Sequence, residues 1–382
     1  MKLKTTQFEE LYAEPSRNGI YKSKPFQGHG TPIIKMNEVF NHRRINAKQF
    51  YSDRFQLTSN ELQAFRIVNH DLLFARTSVV PDGVGKCSLV CDIDGDLAFE
   101  SNLIRVRLKE TQVNPEYIFY YFQSPIGRGR ILSISNGVAI RTIRGSDLAK
   151  VNFEIPGKQD QDRIALILST YDDLIENNGR RILLLEQAAR LLYNEWFIRL
   201  RFPGYEHVKI AEGVPDMWKK KRLGDIAPLN YGKGLKNDDR VPGPFAVYGS
   251  SGIIGTHDKA MIPGPTIIVG RKGNVGSVYW SSSDCHPIDT VYYIDSCNCS
   301  FYLYYALQNM AFISTDVAVP GLNRDFAHSR DIIVPESKIQ QLFEDMVIPL
   351  RRQIDVLQIT NVKLANARDL LLPRLMNGEV MA

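Results

Sequence analysis

The chain has 382 residues, too long for one ordinary domain at about 150 residues each, and its 44% hydrophobic and 23% charged residues exclude wholesale disorder or a collagen-like polymer. No run approaches the roughly 20 apolar residues of a membrane span, and the opening MKLKTTQFEE lacks a secretory apolar stretch, so a cytoplasmic protein with no membrane partner is expected. A formal charge of +5 permits an acidic partner without demanding one, while Cys87, Cys91, Cys285, Cys297 and Cys299 lack zinc spacing and read as reduced thiols with no metal site.

Residues 1–157 read as a mixed, mainly β module, with short β-branched and aromatic runs punctuated by Gly, Pro and Asn. LLFARTSVVPDGVGK combines an apolar strand with Arg76, Val84-Gly85 and Lys86. It falls short of a phosphate-binding loop, because Val80 stands where the first glycine belongs and Cys87 where Ser or Thr belongs. Asp92, Asp94 and Asp96 imitate a calcium loop, but Gly95 comes one place early and Leu103 replaces the last carboxylate, so a β-turn is expected. NPEYIFYYFQS, from Asn114, reads as a helix whose Tyr120 and Tyr121 are packing residues.

A long helix is expected within 158–200. Ile164, Leu168, Tyr171, Ile175, Asn178, Ile182, Leu185, Ala189, Leu192 and Trp196 recur at alternating spacings of four and three, which is a heptad seam. Asn177-Asn178-Gly179 is a turn signal in isolation and would make this region a helical hairpin. The seam's regularity favours a continuous helix, since one interior glycine costs only about 1 kcal/mol.

Residues 201–335 form a second mixed module, with strands suggested by TIIV, SVYW and TVYYI. Its run Lys219-Lys220-Lys221-Arg222 fits an exposed connector or a phosphate contact. Residues 336–382 carry a second long helix with the seam Phe343, Val347, Leu350, Ile354, Leu357, Asn361, Leu364, Arg368, Leu371 and Leu375. Pro349 should kink or interrupt it.

The two halves are copies. Ser135–Pro156 aligns without gaps on Ser314–Pro335, and the same constant offset carries the first seam onto the second, Ile164 onto Phe343 and Trp196 onto Leu375. The expected fold is therefore α+β: two mainly β domains separated by two long helices, related by an internal pseudo-two-fold repeat. Parallel helices would bury Asn178 against Leu357 and Asn361 against Ile182, at roughly 1–3 kcal/mol for each unpaired amide. Antiparallel pairing sets Asn178 opposite Asn361, Ala189 against Leu350 and Arg368 over Tyr171, so an antiparallel coiled coil is expected.

This alternation, with YDDLIENNGRRILLLEQAARLLYNEWF in the centre and LLLPRLMNGE at the end, resembles the specificity subunit of type I restriction–modification systems. YGSSGIIGTHDKA, IIVGRKGNVGSVYW and HPIDTVYY in the second module fit the same family, as do GHGTPIIKMNEVF and HDLLFARTS in the first. The resemblance implies two target recognition domains, each reading one half of a bipartite double-stranded DNA sequence. It implies helices that set the gap and dock two modification (methyltransferase) subunits, with restriction subunits completing the complex. S-adenosylmethionine, ATP and Mg would then act on those partners, with no catalytic residue or cofactor in this chain. The broken Asn114-Pro115-Glu116-Tyr117 agrees, because an amino-methyltransferase needs a second proline in place of the glutamate.

Base edges are read by donors and acceptors on loops, while Lys and Arg hold phosphates. The DNA-binding candidates are Arg76, Lys86, Arg141 and Arg144 in the first module. In the second they are Ser250, Ser251, Arg271, Lys272, Asn274, Asn323 and Arg324. His286, before Pro287, reads as structural. Two rival functions are a methyltransferase or nuclease with an unrecognised site, and a coiled-coil protein scaffold without DNA binding.

Overall fold

The structure, a computed structural model, describes residues 3–46, 51–137, 139–211, 213–312 and 321–380. The chain divides into two compact units, Met1–Glu176 with Asn361–Ala382, and Asn177–Thr360. Both divisions fall inside the long helices, so each unit holds one module and a segment of each helix.

The first unit is built on a five-stranded sheet in the order Tyr12–Asn18, Leu103–Leu108, Leu72–Ala75, Cys87–Val90, Arg44–Ile45. Leu72–Ala75 and Cys87–Val90 are buried on both faces, which explains why they read as continuous apolar runs. Leu72, Phe74, Leu89, Ile104 and Val106 pack on the helix Pro115–Gln123 and on Ile164, Leu168 and Leu375 of the long helices. Leu73, Ala75, Val90 and Leu103 point to a second cluster around Ile34, Val39 and Phe99. Asn114 caps the helix, its Oδ1 accepting from Tyr117 N at 3.1 Å with Pro115 in the first turn. The methyltransferase-like string is thus a helix start.

The second unit repeats the plan with a four-stranded antiparallel sheet, Asn230–Tyr231, Val291–Ile294, Thr266–Gly270, Val278–Ser281. Ile267, Val269, Tyr292 and Ile294 face the helix Phe301–Asn309 and the long-helix residues Tyr193, Trp196, Phe343 and Val347. Ile268 and Val291 face Tyr248, Ile262 and Cys285 on the other side.

The repeat is conformational as well as textual. Gly145–Ala149, Asn152–Ile155 and the helix from Lys158 are matched by Arg324–His328, Asp331–Val334 and the helix from Ser337, each at the offset that takes Ser135 to Ser314. A side-chain bond repeats too: Gln161 Nε2 donates to Pro156 O at 2.8 Å, and Gln340 Nε2 to Pro335 O at 2.7 Å. Lys219–Arg222 is a strand rather than a connector. It pairs with Asp331–Val334 as Lys4–Gln7 pairs with Asn152–Ile155, with Lys220 Nζ 2.9 Å from Asp331.

Lys158–Tyr193 is one continuous helix of 36 residues, so Asn177-Asn178-Gly179 makes no hairpin. Ser337–Met376 is likewise continuous over 40 residues, and Pro349 does not interrupt it. Pro349 sits on the exposed face, while Val347 and Ile354 on either side are fully buried and hold the helix in place. Within the first unit Asn361 Nδ2 donates to Ile175 O and Arg368 pairs with Asp172. Within the second, Arg351 lies against Glu186, and Tyr193 packs on Phe343. Partner numbers fall on one helix as they rise on the other, so the segments are antiparallel in each unit. Arg368 takes the Asp172 carboxylate in place of the expected Tyr171 ring, the stronger partner for a buried guanidinium.

Candidate nucleic-acid interface

In both units an inner strand of the sheet, Leu72–Ala75 or Thr266–Gly270, runs directly into an arginine that is tied down by its backbone. Arg76 N donates to Asn102 O at 2.8 Å and Arg76 O accepts from Ile143 N at 2.9 Å. Arg271 N donates to Thr290 O at 2.9 Å and Arg271 O accepts from Leu322 N at 2.8 Å. Ile143 and Leu322 are equivalent positions of the repeat, and each is followed by the short helix Gly145–Ala149 or Arg324–His328. The same backbone lock therefore brings a strand-end arginine beside a helix-entry loop twice.

In the first unit this lock gathers the predicted residues. Arg141 pairs with Ser78 two residues beyond Arg76, and exposed Arg144 precedes the short helix. Arg76 Nη1 reaches Ser101 O at 3.5 Å. Lys86 lines a cavity of about 490 Å³ with Thr77, Ser78 and Ile140, and its Nζ donates to Phe40 O at 2.9 Å. Val79, Val80 and Ile140 are exposed on the same rim.

The second unit gathers its own set. Arg271 Nη1 donates to Asp289 O at 3.1 Å, while its guanidinium lies 5.0 Å from the Tyr231 ring centre and 5.7 Å from that of Tyr292. Arg324 covers Tyr231 at 5.0 Å as well. Asn323 caps the short helix, its Oδ1 accepting from Phe326 N at 3.0 Å, which leaves its amide NH₂ outward on an exposed residue. Lys272 and Asn274 are exposed in the adjoining loop. Ser250 O accepts from Ser277 Oγ at 2.7 Å, which joins the Ser250-Ser251 hairpin turn to that loop. Ser251 is exposed at the turn.

Sequence reading missed Tyr231, an aromatic ring 46% exposed that both arginines share. Nothing in LNYGKG marks it, because an outward strand residue and a buried one differ only in register. The sheets' registers make exposed Asn18 its counterpart in the first unit. The aromatic pairs lie elsewhere: Tyr120, Tyr121, Tyr304 and Tyr305 are all buried. His286 faces Lys233 O at 3.3 Å and the His257 ring.

The seam residues are buried or half-buried throughout. Ile164, Leu168, Asn178, Phe343, Val347, Ile354 and Leu357 are buried, and Tyr171, Ile175, Ile182, Leu185, Leu192, Leu350, Asn361, Leu364 and Leu371 are half-buried. Buried polar chemistry gathers beside them. Asp172 accepts from Arg368 and from Tyr120 OH at 2.6 Å, with Arg43 at 4.0 Å. Burial, and then the neighbouring Asp172 carboxylate, push the Tyr120 hydroxyl well above the usual tyrosine range. Among the described residues no group of three or more His, Cys, Asp or Glu could hold a metal ion, and no helix is long and apolar enough to cross a membrane.

Comparison with known proteins agrees with this duplicated plan. The type I restriction modification DNA specificity domain matches residues 11–187 and 215–364. The MjaIX specificity subunit of Methanocaldococcus jannaschii is 27% identical over 300 residues, covering 69% of each chain. The HindI specificity subunit of Haemophilus influenzae is 23% identical over 358 residues, covering 70% of this chain and 78% of that one. The crystal structure of a type I restriction–modification S subunit from M. genitalium superposes with a TM-score of 0.59 at 19% identity, over 98% of this chain and 96% of that one. This chain belongs to the DNA specificity subunits of type I restriction–modification systems.

Proposed function

We propose that residues 1–157 and 201–335 are two target recognition domains, each reading one half of a bipartite double-stranded DNA sequence in the cytoplasm. The observation that carries this reading is the repeated arginine lock, Arg76 with Ile143 and Arg271 with Leu322, beside clustered cationic and amide side chains. Arg76, Arg141, Arg144 and Lys86 serve the first half-site. Arg271, Lys272, Asn274, Asn323, Arg324, Ser250 and Ser251 serve the second. Arginines held against rings or carbonyls are pre-oriented for base edges, whereas exposed Lys272 suits a phosphate.

The long helices act as spacer and as docking surface for two modification subunits. Off their seams they expose Leu166, Leu174, Val362 and Leu370 in the first unit, and Leu183, Leu184, Leu191, Val356 and Ile359 in the second. Apolar side chains in that number on a water-facing helix suit a protein partner. S-adenosylmethionine binding and methyl transfer belong to those subunits, and ATP- and Mg-dependent translocation and cleavage to restriction subunits. The test is a footprint of the assembled complex on DNA bearing the motif found by methylome sequencing. Two short protected patches separated by an indifferent gap are expected, and sequence-blind protection would overturn the reading.

A further inference from the structure

Two buried arginines lie on the C-terminal helix, Arg351 and Arg368, 7% and 6% exposed. Each meets a carboxylate of the central helix. Arg368 Nη1 donates to Asp172, and Arg351 Nη1 lies 3.7 Å from Glu186 Oε1. Both acids come from one helix and both bases from the other.

The internal repeat gives this asymmetry a meaning. The offset that takes Ser135 to Ser314 puts Arg351 at the position of Asp172, Arg368 at that of Ala189 and Ala365 at that of Glu186. A central helix paired antiparallel with a copy of itself would set Glu186 against Asp172, twice by symmetry. A C-terminal helix paired with its own copy would set Arg368 against Arg351, also twice. Like charges brought together repel, most strongly at the buried positions of Asp172, Arg351 and Arg368 and less at the half-exposed Glu186. Arg43, 4.0 Å from Asp172, travels with the first module and meets that acid, but Glu186 would still face a carboxylate.

The apolar residues of the seam discriminate little, because most recur as apolar residues at equivalent places in both helices and hydrophobic packing suits self-pairing about as well as cross-pairing. Asn178 and Asn361 act in the same sense as the charges, since a self-pair in the antiparallel register would set Asn178 against Ile182 and Asn361 against Leu357. We propose that Asp172, Glu186, Arg351 and Arg368 encode partner choice. They make each duplicated helix complementary to the other and repellent to its own copy, so the chain closes on itself and does not exchange halves with a second molecule.

The test uses the full-length chain and two double variants of equal net charge. E186R/R368E puts two bases at the Glu186–Arg351 contact and two acids at the Asp172–Arg368 contact, while both self-pairings between copies become complementary. It also leaves Asp172 its bond from Tyr120. E186R/R351E also makes both self-pairings complementary, but it exchanges the two sides of one native contact and so keeps closure attractive within the covalently joined chain, where effective concentration favours it. By size-exclusion chromatography with light scattering, the unsubstituted chain and E186R/R351E should run at the monomer mass and E186R/R368E as a dimer. A monomeric E186R/R368E with unchanged Tm would overturn the proposal. Should E186R/R368E fail to fold, the thermal cycle decides. E186R and R351E alone should each lower Tm by about 2 °C or more, and the double variant should recover most of the loss; additive losses would refute the pairing code.

Discussion

The guanidinium groups of Arg271 and Arg324 converge on one ring, each lying 5.0 Å from the centre of Tyr231. Arg271 comes from the end of a strand and Arg324 from the first turn of a helix. A planar guanidinium stacked on a ring and hydrogen-bonded to Asp289 O presents its remaining donors in a fixed plane, and an ammonium cannot copy that. Arg271→Lys should therefore weaken cognate binding about 10- to 100-fold, with discrimination lost at one position of the second half-site. Fluorescence anisotropy on duplexes varied one position at a time would show it. A lysine variant that keeps full discrimination would remove Arg271 from base reading.

Lys272 stands next to Arg271 and is exposed. A point charge on a flexible stem suits a phosphate, where it contributes affinity without sequence information. Lys272→Ala should weaken binding to cognate and unrelated DNA by the same factor, and the slope of log affinity against log salt should shrink by about 0.9. Selective loss on cognate DNA alone would instead make Lys272 a base reader.

Much of this architecture was legible in the chain because it is written twice. The strand Asp331–Val334 and the helix from Ser337 sit where the repeat of Asn152–Ile155 and Lys158 puts them, and the alternating seam from Ile164 to Trp196 marked a long helix with buried residues. The partner of Arg368 was misjudged by one residue. Heptad spacing assigns a face of the helix, whereas the choice between Tyr171 and Asp172 depends on side-chain reach and charge. The role of Lys219–Arg222 was hidden for another reason: all four residues are exposed, so no apolar alternation announces the strand, which is held by backbone pairing to Asp331–Val334. Tyr231 escaped because its importance is tertiary, created by two arginines far from it in sequence.

Asp71 is fully buried and receives both ends of a guanidinium fork, Arg107 Nε and Nη2 each at 2.7 Å, besides the Val68 amide at 2.9 Å. Arg105, 3% exposed, lies in the same group and also reaches Glu14. Asp71→Asn would take the charged acceptor from the Arg107 fork and leave Arg105 and Arg107 to share the Glu14 carboxylate, at a cost of about 2 kcal/mol. The three tryptophans, Trp196, Trp218 and Trp280, all belong to the second unit. Urea unfolding of D71N should therefore show an earlier transition by circular dichroism with tryptophan fluorescence little changed. A shift of equal size in both signals would contradict an effect local to the first unit.

His328 Nε2 accepts the Leu229 amide at 2.8 Å, which requires the neutral ring. Burial, and then the Arg324 charge, lower its pKa below the ordinary 6.5. A base with a depressed folded pKa contributes stability that is complete above the unfolded value and is lost as pH falls through the folded one. Tryptophan-detected stability of the second unit should thus decline from pH 7 toward pH 5. His328→Gln keeps an acceptor near the Nε2 position without titrating there, and should flatten part of that decline. An unchanged pH profile in H328Q would place the acid sensitivity elsewhere.

Gly19 and Gly232 follow Asn18 and Tyr231, and they make the same bond, Gly19 N to Leu103 O at 3.0 Å and Gly232 N to Val291 O at 3.3 Å. A methyl group on either would overlap backbone, the Glu100 carbonyl for Gly19 and the Ile288 carbonyl for Gly232. Backbone cannot swing aside as a long side chain can, so alanine must push the strand end away from its neighbour. In the second unit that displacement carries Tyr231 from beneath Arg271 and Arg324; in the first it moves Asn18, which holds the equivalent place. Gly232→Ala should bind its target no better than the same duplex with the second half-site scrambled, while it still discriminates at the first. Gly19→Ala should do the reverse. Equal loss at both halves in either variant would mean that the two modules do not read DNA independently.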